Sequence, residues 1–94
     1  MSKSSLLDAH LPERLAAAKA GLNRLTHREH EVLYRLIHGE TAELSAEALG
    51  ISPRTVEIHR QAILSKLNAR NMVEAVGMIA EIERQLHEAD AKAD

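Results

Sequence analysis

The chain has 94 residues, no cysteine, no Phe or Trp, a single Tyr, and a formal net charge of −2. That length supports one hydrophobic core, the missing cysteines exclude a disulfide scaffold and a thiolate metal site, and an apolar set of Leu, Ile, Val, Met and Ala favours helix packing. Neither the N-terminal "MSKSSLLDAHLPERL" nor any later run is apolar for long enough to act as a secretory signal or to span a membrane, so a soluble cytoplasmic protein is expected.

The first predicted element is a helix with Leu11, Leu15, Ala18 and Leu22 on one face, Pro12 in its first turn and Gly21 as its stop. A second helix, from about Thr26 to His38, is marked by a capping box. Thr26 and Glu29 stand three apart, so hydroxyl and carboxylate can each satisfy the other's backbone amide. Val32, Leu33, Leu36 and Ile37 form its apolar stripe and Gly39 closes it.

"TAELSAEALG" follows as a short helix capped by Thr41 and ended by Gly50, with Leu44, Ala48 and Leu49 as its buried face. In "ISPRTVEIHRQAILSKLNAR" Ser52 is the next cap and Pro53 takes the first helical position, where its missing N–H is harmless and its φ is already helical. Two helices joined across "GIS" make a helix-turn-helix, whose second helix suits a DNA major groove. In that helix Val56, Ile63, Leu64 and Leu67 face the core, while Arg54, Glu57, Ile58, Gln61 and Ser65 point away.

The last helix starts after Asn71, a cap, and carries Ala75, Ile79, Ile82, Leu86 and Ala89 at alternating spacings of four and three, as in a coiled-coil seam. Two coverings of this stripe are open: a second copy of the chain across a two-fold axis, with Ala75, Ile79, Ile82 and Leu86 as the dimer interface, or the first helix of the same chain. Charge is unevenly spread along the sequence. Ser52 to Arg70 holds four basic residues against one acid, for +3, whereas Glu81 to Asp94 sums to −3.

Leu25-Thr26, Arg28-Glu29, Val32-Leu33, Gly39, "LGISPRTVEIHR" and "KLNARNMVEAV" together resemble the LuxR/FixJ-type (GerE-type) DNA-binding domain over about Leu25 to Ile82. The resemblance implies an all-α, four-helix LuxR-type helix-turn-helix unit at 25–82. An N-terminal helical extension at 1–24 and an acidic C-terminal helix end and tail at 83–94 flank it. It also implies a sequence-specific transcription regulator that binds double-stranded DNA as a homodimer, with the helix from about Pro53 to Leu67 in the major groove. Arg54, Glu57, Ile58 and Gln61 would then sit near base edges. Thr41, Ser52, Thr55, His59, Arg60 and Lys66 would meet phosphates or hold the helix in place.

Side-chain chemistry agrees with those roles. Arginine pairs with guanine or clamps phosphate, Glu57 can accept from the cytosine amino group, Gln61 can read adenine, and the amides capped by Ser52 suit phosphate oxygens. Two departures from the family pattern stand in the scaffold helix. Ser45 replaces a larger apolar residue, a loss that Leu44 would make good after a small helix rotation, and Glu43 and Glu47 put negative charge where phosphates would approach. The competing reading is a helix-turn-helix module that binds RNA polymerase or another regulator.

Catalytic and metal chemistry find no support. There is no Gly-rich phosphate loop, no G-x-S-x-G, no H-E-x-x-H and no cysteine nucleophile. His27 and His30 share a helix face, but no third ligand is placed beside them, so neither a metal nor another cofactor is expected. Residues 1–24 are too few for the receiver or ligand-binding domain that such regulators commonly carry, and the expectation is a chain without a fused sensor.

Overall fold

The computed structural model describes the backbone of residues 3–93 and the side chains of residues 10–91. Met1, Ser2 and Asp94, which belong to the expected extension and tail, lie outside the described residues. Among the described residues five helices follow one another: α1 (Lys3–Arg24), α2 (His27–Ile37), α3 (Ala42–Leu49), α4 (Pro53–Lys66) and α5 (Met72–Ala93). The all-α architecture is the one expected, and among the described residues no helix is long and apolar enough to cross a membrane.

The ends of the helices follow the local chemistry. Thr26 and Glu29 close the capping box of α2 in both directions, at 3.1 Å and 2.8 Å. Thr41 Oγ1 accepts from the Leu44 amide and Ser52 Oγ from the Thr55 amide, each at 3.1 Å. Gly50 ends α3 at φ 69°, left-handed backbone that costs a residue with a Cβ about 1 kcal/mol or more. The Ile51 amide then reaches back to the Ala46 carbonyl at 3.0 Å, so the chain reverses within "GIS" and α4 leaves at once. Asn68, at φ 55°, does the same for α4: the Ala69 amide bonds the Leu64 carbonyl at 2.9 Å. Asn71 Oδ1 caps the start of α5 by accepting from the Glu74 amide at 2.9 Å.

The main core joins α2 to α5. Val32, Val56, Ile63 and Leu67 are fully buried there, with Leu25, Leu33, Ala46, Leu64 and Ala75 around them. A second, smaller cluster binds α1 to α5 through Leu15, Ala18, Met78 and Ile82.

Three expectations are corrected by this packing. Pro12 and Gly21 lie inside α1 instead of at its ends. The helix begins well before Pro12, and Gly21 is needed where α1 crosses the end of α4: a Cβ there would stand 2.0 Å from the Lys66 carbonyl oxygen. In α3 the buried residues are Ser45 and Ala46, whereas Leu44 is 55% exposed and Ala48 is exposed, so no rotation brings Leu44 in to replace the lost bulk. The Ser45 hydroxyl is buried without a hydrogen-bond partner. Finally, Ala75 and Ile82 of the expected dimer seam are buried within the chain, Ala75 in the main core formed with α2, α3 and α4, and Ile82 beneath Leu15 and Ala18 of α1. Ile79 is half-buried and Leu86 is exposed.

Candidate nucleic-acid interface

The geometry of α4 comes from its anchoring side. Val56, Ile63, Leu64 and Leu67 lock one face into the core, which leaves Arg54, Glu57, Ile58, Gln61 and Ser65 on the opposite, exposed face. Ile58 is among them, 58% exposed. Thr55, His59 and Arg60 flank this face half-buried, Ser52 is exposed at the helix start, and Thr41 is exposed at the start of α3. The first turn of α4 is tied together by the 2.9 Å contact between the Ser52 and Thr55 hydroxyls.

Ion pairing reduces the charge this segment offers to a phosphate. Arg60 lies 3.7 Å from Glu57, Lys66 2.6 Å from Glu29 and Arg70 3.0 Å from Glu74; among the described residues, Arg54 alone of the four cations has no acidic partner. Lys66 belongs to the scaffold. Its ammonium reaches across from the last turn of α4 to the carboxylate that caps α2. Burial pushes the Glu29 carboxyl up, but the Lys66 ammonium and the Thr26 amide and hydroxyl outweigh it and hold the group below the ordinary carboxylate range. Glu43 and Glu47 are exposed on α3, and α3 carries no basic residue to offset them.

Two further residues acquire a role that the sequence reading did not assign. Glu74 takes the Arg70 amide and guanidinium and the Arg14 guanidinium, the last at 2.9 Å, and so ties α1 to the start of α5. Burial raises the Glu74 carboxyl, and these bonds together lower it further than burial raises it. Arg24 donates from Nη2 to the Lys66 carbonyl oxygen at 3.1 Å, closing the exposed end of α4. The Glu29–Lys66 pair spans 37 positions, which no helical periodicity reveals. An isolated glycine inside the Ala-rich "RLAAAKAGL" was the one available sign of the α1 crossing.

A short scaffold helix, a three-residue turn fixed by Gly50, and a second helix with one locked and one free face define a helix-turn-helix protein. Residues 23–79 match the family of bacterial regulatory proteins designated luxR, and the chain belongs to that family, one of DNA-binding transcription regulators and not of enzymes. It is 43% identical over 54 residues to the transcriptional regulatory protein FixJ of Azorhizobium caulinodans, covering 57% of this chain and 26% of that protein. The transcriptional regulatory protein UhpA of Salmonella typhimurium is 41% identical over 61 residues, 65% of this chain and 30% of the relative. The nitrate/nitrite response regulator protein NarP of Escherichia coli is 36% identical over 74 residues, 77% and 34%. The similarity thus extends over a quarter to a third of the length of these relatives. No solved structure matches the chain.

Proposed function

We propose that this chain reads double-stranded DNA in a sequence-specific way as a transcription regulator in the cytoplasm, with α4 in the major groove. The observation that carries this reading is the two-sidedness of α4: its core face is fully committed, while Arg54, Glu57, Ile58 and Gln61 stand exposed at the spacing of one helix face. In this reading Arg54 and Gln61 recognise base edges, Glu57 and Ile58 discriminate between neighbouring bases, and Thr41, Ser52, Thr55, His59 and Arg60 meet or position phosphates. Lys66 acts one step removed, by holding α4 against α2. The organisation proposed is a DNA-reading unit at 25–82 with helical flanks at 1–24 and 83–94.

With Glu43 and Glu47 beside the phosphates and three of four cations already paired, one copy binds weakly, since affinity rests on releasing counterions. A homodimer through α5 supplies the second half-site. Since Ala75 and Ile82 are occupied within the chain, the proposed seam uses the outward side of α5 at Val73, Val76 and Ala80, with Ile79 at its edge and Leu86 further along. Val73 is 84% exposed. Val73→Glu with Ala80→Glu changes only exposed positions and is expected to halve the mass in sedimentation; an unchanged mass excludes this seam.

The second reading, a module that binds RNA polymerase or another regulator, is favoured by the exposed pairing of Leu44 with Glu43 and Glu47 on α3. Such a face suits a basic, apolar protein surface better than a phosphate backbone. Binding to duplex DNA at low and near-physiological salt separates the two readings: a steep salt slope with discrimination among sequences supports the first, and no binding at low salt supports the second.

A further inference from the structure

We infer that α1 is a positioning element for the reading helix, acting through Gly21 and Arg24 on the last turn of α4. The inference rests on the DNA-reading function proposed for α4.

Three contacts put α1 at that end. Gly21 is buried against the α4 terminus so closely that a Cβ would meet the Lys66 carbonyl oxygen at 2.0 Å and its carbon at 2.7 Å, both of them backbone atoms that cannot swing aside. One turn on, the Arg24 guanidinium donates to that same oxygen at 3.1 Å. The last carbonyls of a helix have no partner within it and carry the negative end of its dipole, so a cation there satisfies both. Midway along α1, Arg14 holds Glu74, whose carboxylate also takes the Arg70 amide immediately after the turn that leaves α4.

Lys66 adds the reason that this end matters. Its side chain fixes α4 to α2 through Glu29, while its carbonyl fixes α4 to α1. The last turn of α4 is therefore held from two sides, and the opposite end, with Arg54, is held by Ser52 and the "GIS" turn. Freed on the α1 side, α4 pivots about its first turn, and Gln61 and Arg60, nearer the loosened end, move furthest from their registers. Base contacts depend on such alignment more steeply than phosphate contacts do. Gly21 lies outside the family-matched region 23–79 and Arg24 just inside its first residues, so the close crossing comes from a part of this chain that the shared domain does not include.

The test uses the full chain carrying Gly21→Ala or, separately, Arg24→Ala, with Arg24→Lys as the conservative control. Each is titrated by fluorescence anisotropy against a duplex enriched from a random pool and a scrambled duplex of equal length, well below the melting temperature. Hydrogen exchange of the α1 amides is followed in parallel. Both alanine variants are expected to lower the ratio of the two affinities about tenfold, the loss of one good base contact, with an unchanged salt slope, and Arg24→Lys to recover most of it. A merely stabilising role lowers the melting temperature and leaves the ratio alone. An unchanged ratio with α1 amides deprotected overturns the inference, as does Gly21→Ala with α1 protected as before, since the close crossing then does not exist. A uniform loss for Arg24→Ala with the salt slope lowered by about 1 makes Arg24 a phosphate contact and also overturns its positioning role. If the unaltered chain itself fails to discriminate between the duplexes, the DNA-reading function fails first, and the inference with it.

Discussion

Lys66 Nζ lies 2.6 Å from Glu29 Oε1, joining the last turn of α4 to the carboxylate that already caps α2. One acidic side chain thus fixes where α2 starts and how α4 is oriented against it. The Glu29 side chain is 7% exposed and that of Lys66 31%, so the pair sits at the rim of the core, where removal of one partner leaves a charge largely shut off from water.

Lys66→Met is therefore expected to destabilise the chain by about 1–3 kcal/mol, the cost of an incompletely satisfied buried group. Adding Glu29→Gln should recover part of that loss, because the amide keeps the Thr26 contact without the charge. Urea unfolding of the two variants checks this; equal midpoints for Lys66→Met and the unaltered chain would show the pair to be energetically silent.

Acid should weaken the fold through Glu29 and Glu74. Both carboxyls titrate lower in the folded chain than in the unfolded one, so over the interval between the two values the unfolded state binds more protons. The stabilisation is complete above the ordinary glutamate value of about 4.3 and is lost as pH falls through the lowered folded values. Melting temperatures measured from pH 7 down to pH 3 should fall mainly below that point, and Glu29→Gln should flatten the fall.

Ser45→Ala should raise stability by up to about 1 kcal/mol, since it removes a buried hydroxyl that has no partner and replaces it with a better helix former. Ile63→Ala, at a fully buried position, should cost about 2–5 kcal/mol, and Leu44→Ala should change little. A large loss for Leu44→Ala, measured in the same urea series, would contradict the exposure of that side chain.

Much of this fold can be read from local chemistry. Caps at Thr26, Thr41, Ser52 and Asn71, the stop at Gly50 and the core face of α4 all depend on residues within one or two turns of each other, and all stand as expected. Features set by distant parts of the chain were not legible. Gly21 reads as a helix stop until α4 is known to pass beside it, and for Lys66 a phosphate contact and a role in holding the helix stay open until Glu29 is seen opposite. Leu44 reads as core on hydrophobicity alone, although Ser45 and Ala46, being small, are what the close packing of α3 on α4 admits. The stripe on α5 was legible as a stripe, but its partner depended on whether α1 folds back, which spacing does not decide.

The base reading proposed for α4 divides its polar residues into two groups. Arg54→Ala and Gln61→Ala should erode discrimination at particular positions of a site by about 1–3 kcal/mol each. Arg60→Ala should weaken every sequence alike and lower the salt slope by about 1.

The most direct measurement is binding of the full chain to a random-sequence duplex pool through rounds of selection, followed by anisotropy titration of the enriched duplex at low and near-physiological salt. Enrichment of a two-fold symmetric site, bound with a steep salt slope and lost on Arg54→Ala, is the result expected of a dimeric reader that uses α4. A pool that stays random, with no binding even at low salt, would contradict DNA reading and leave the acidic face of α3 as the functional surface.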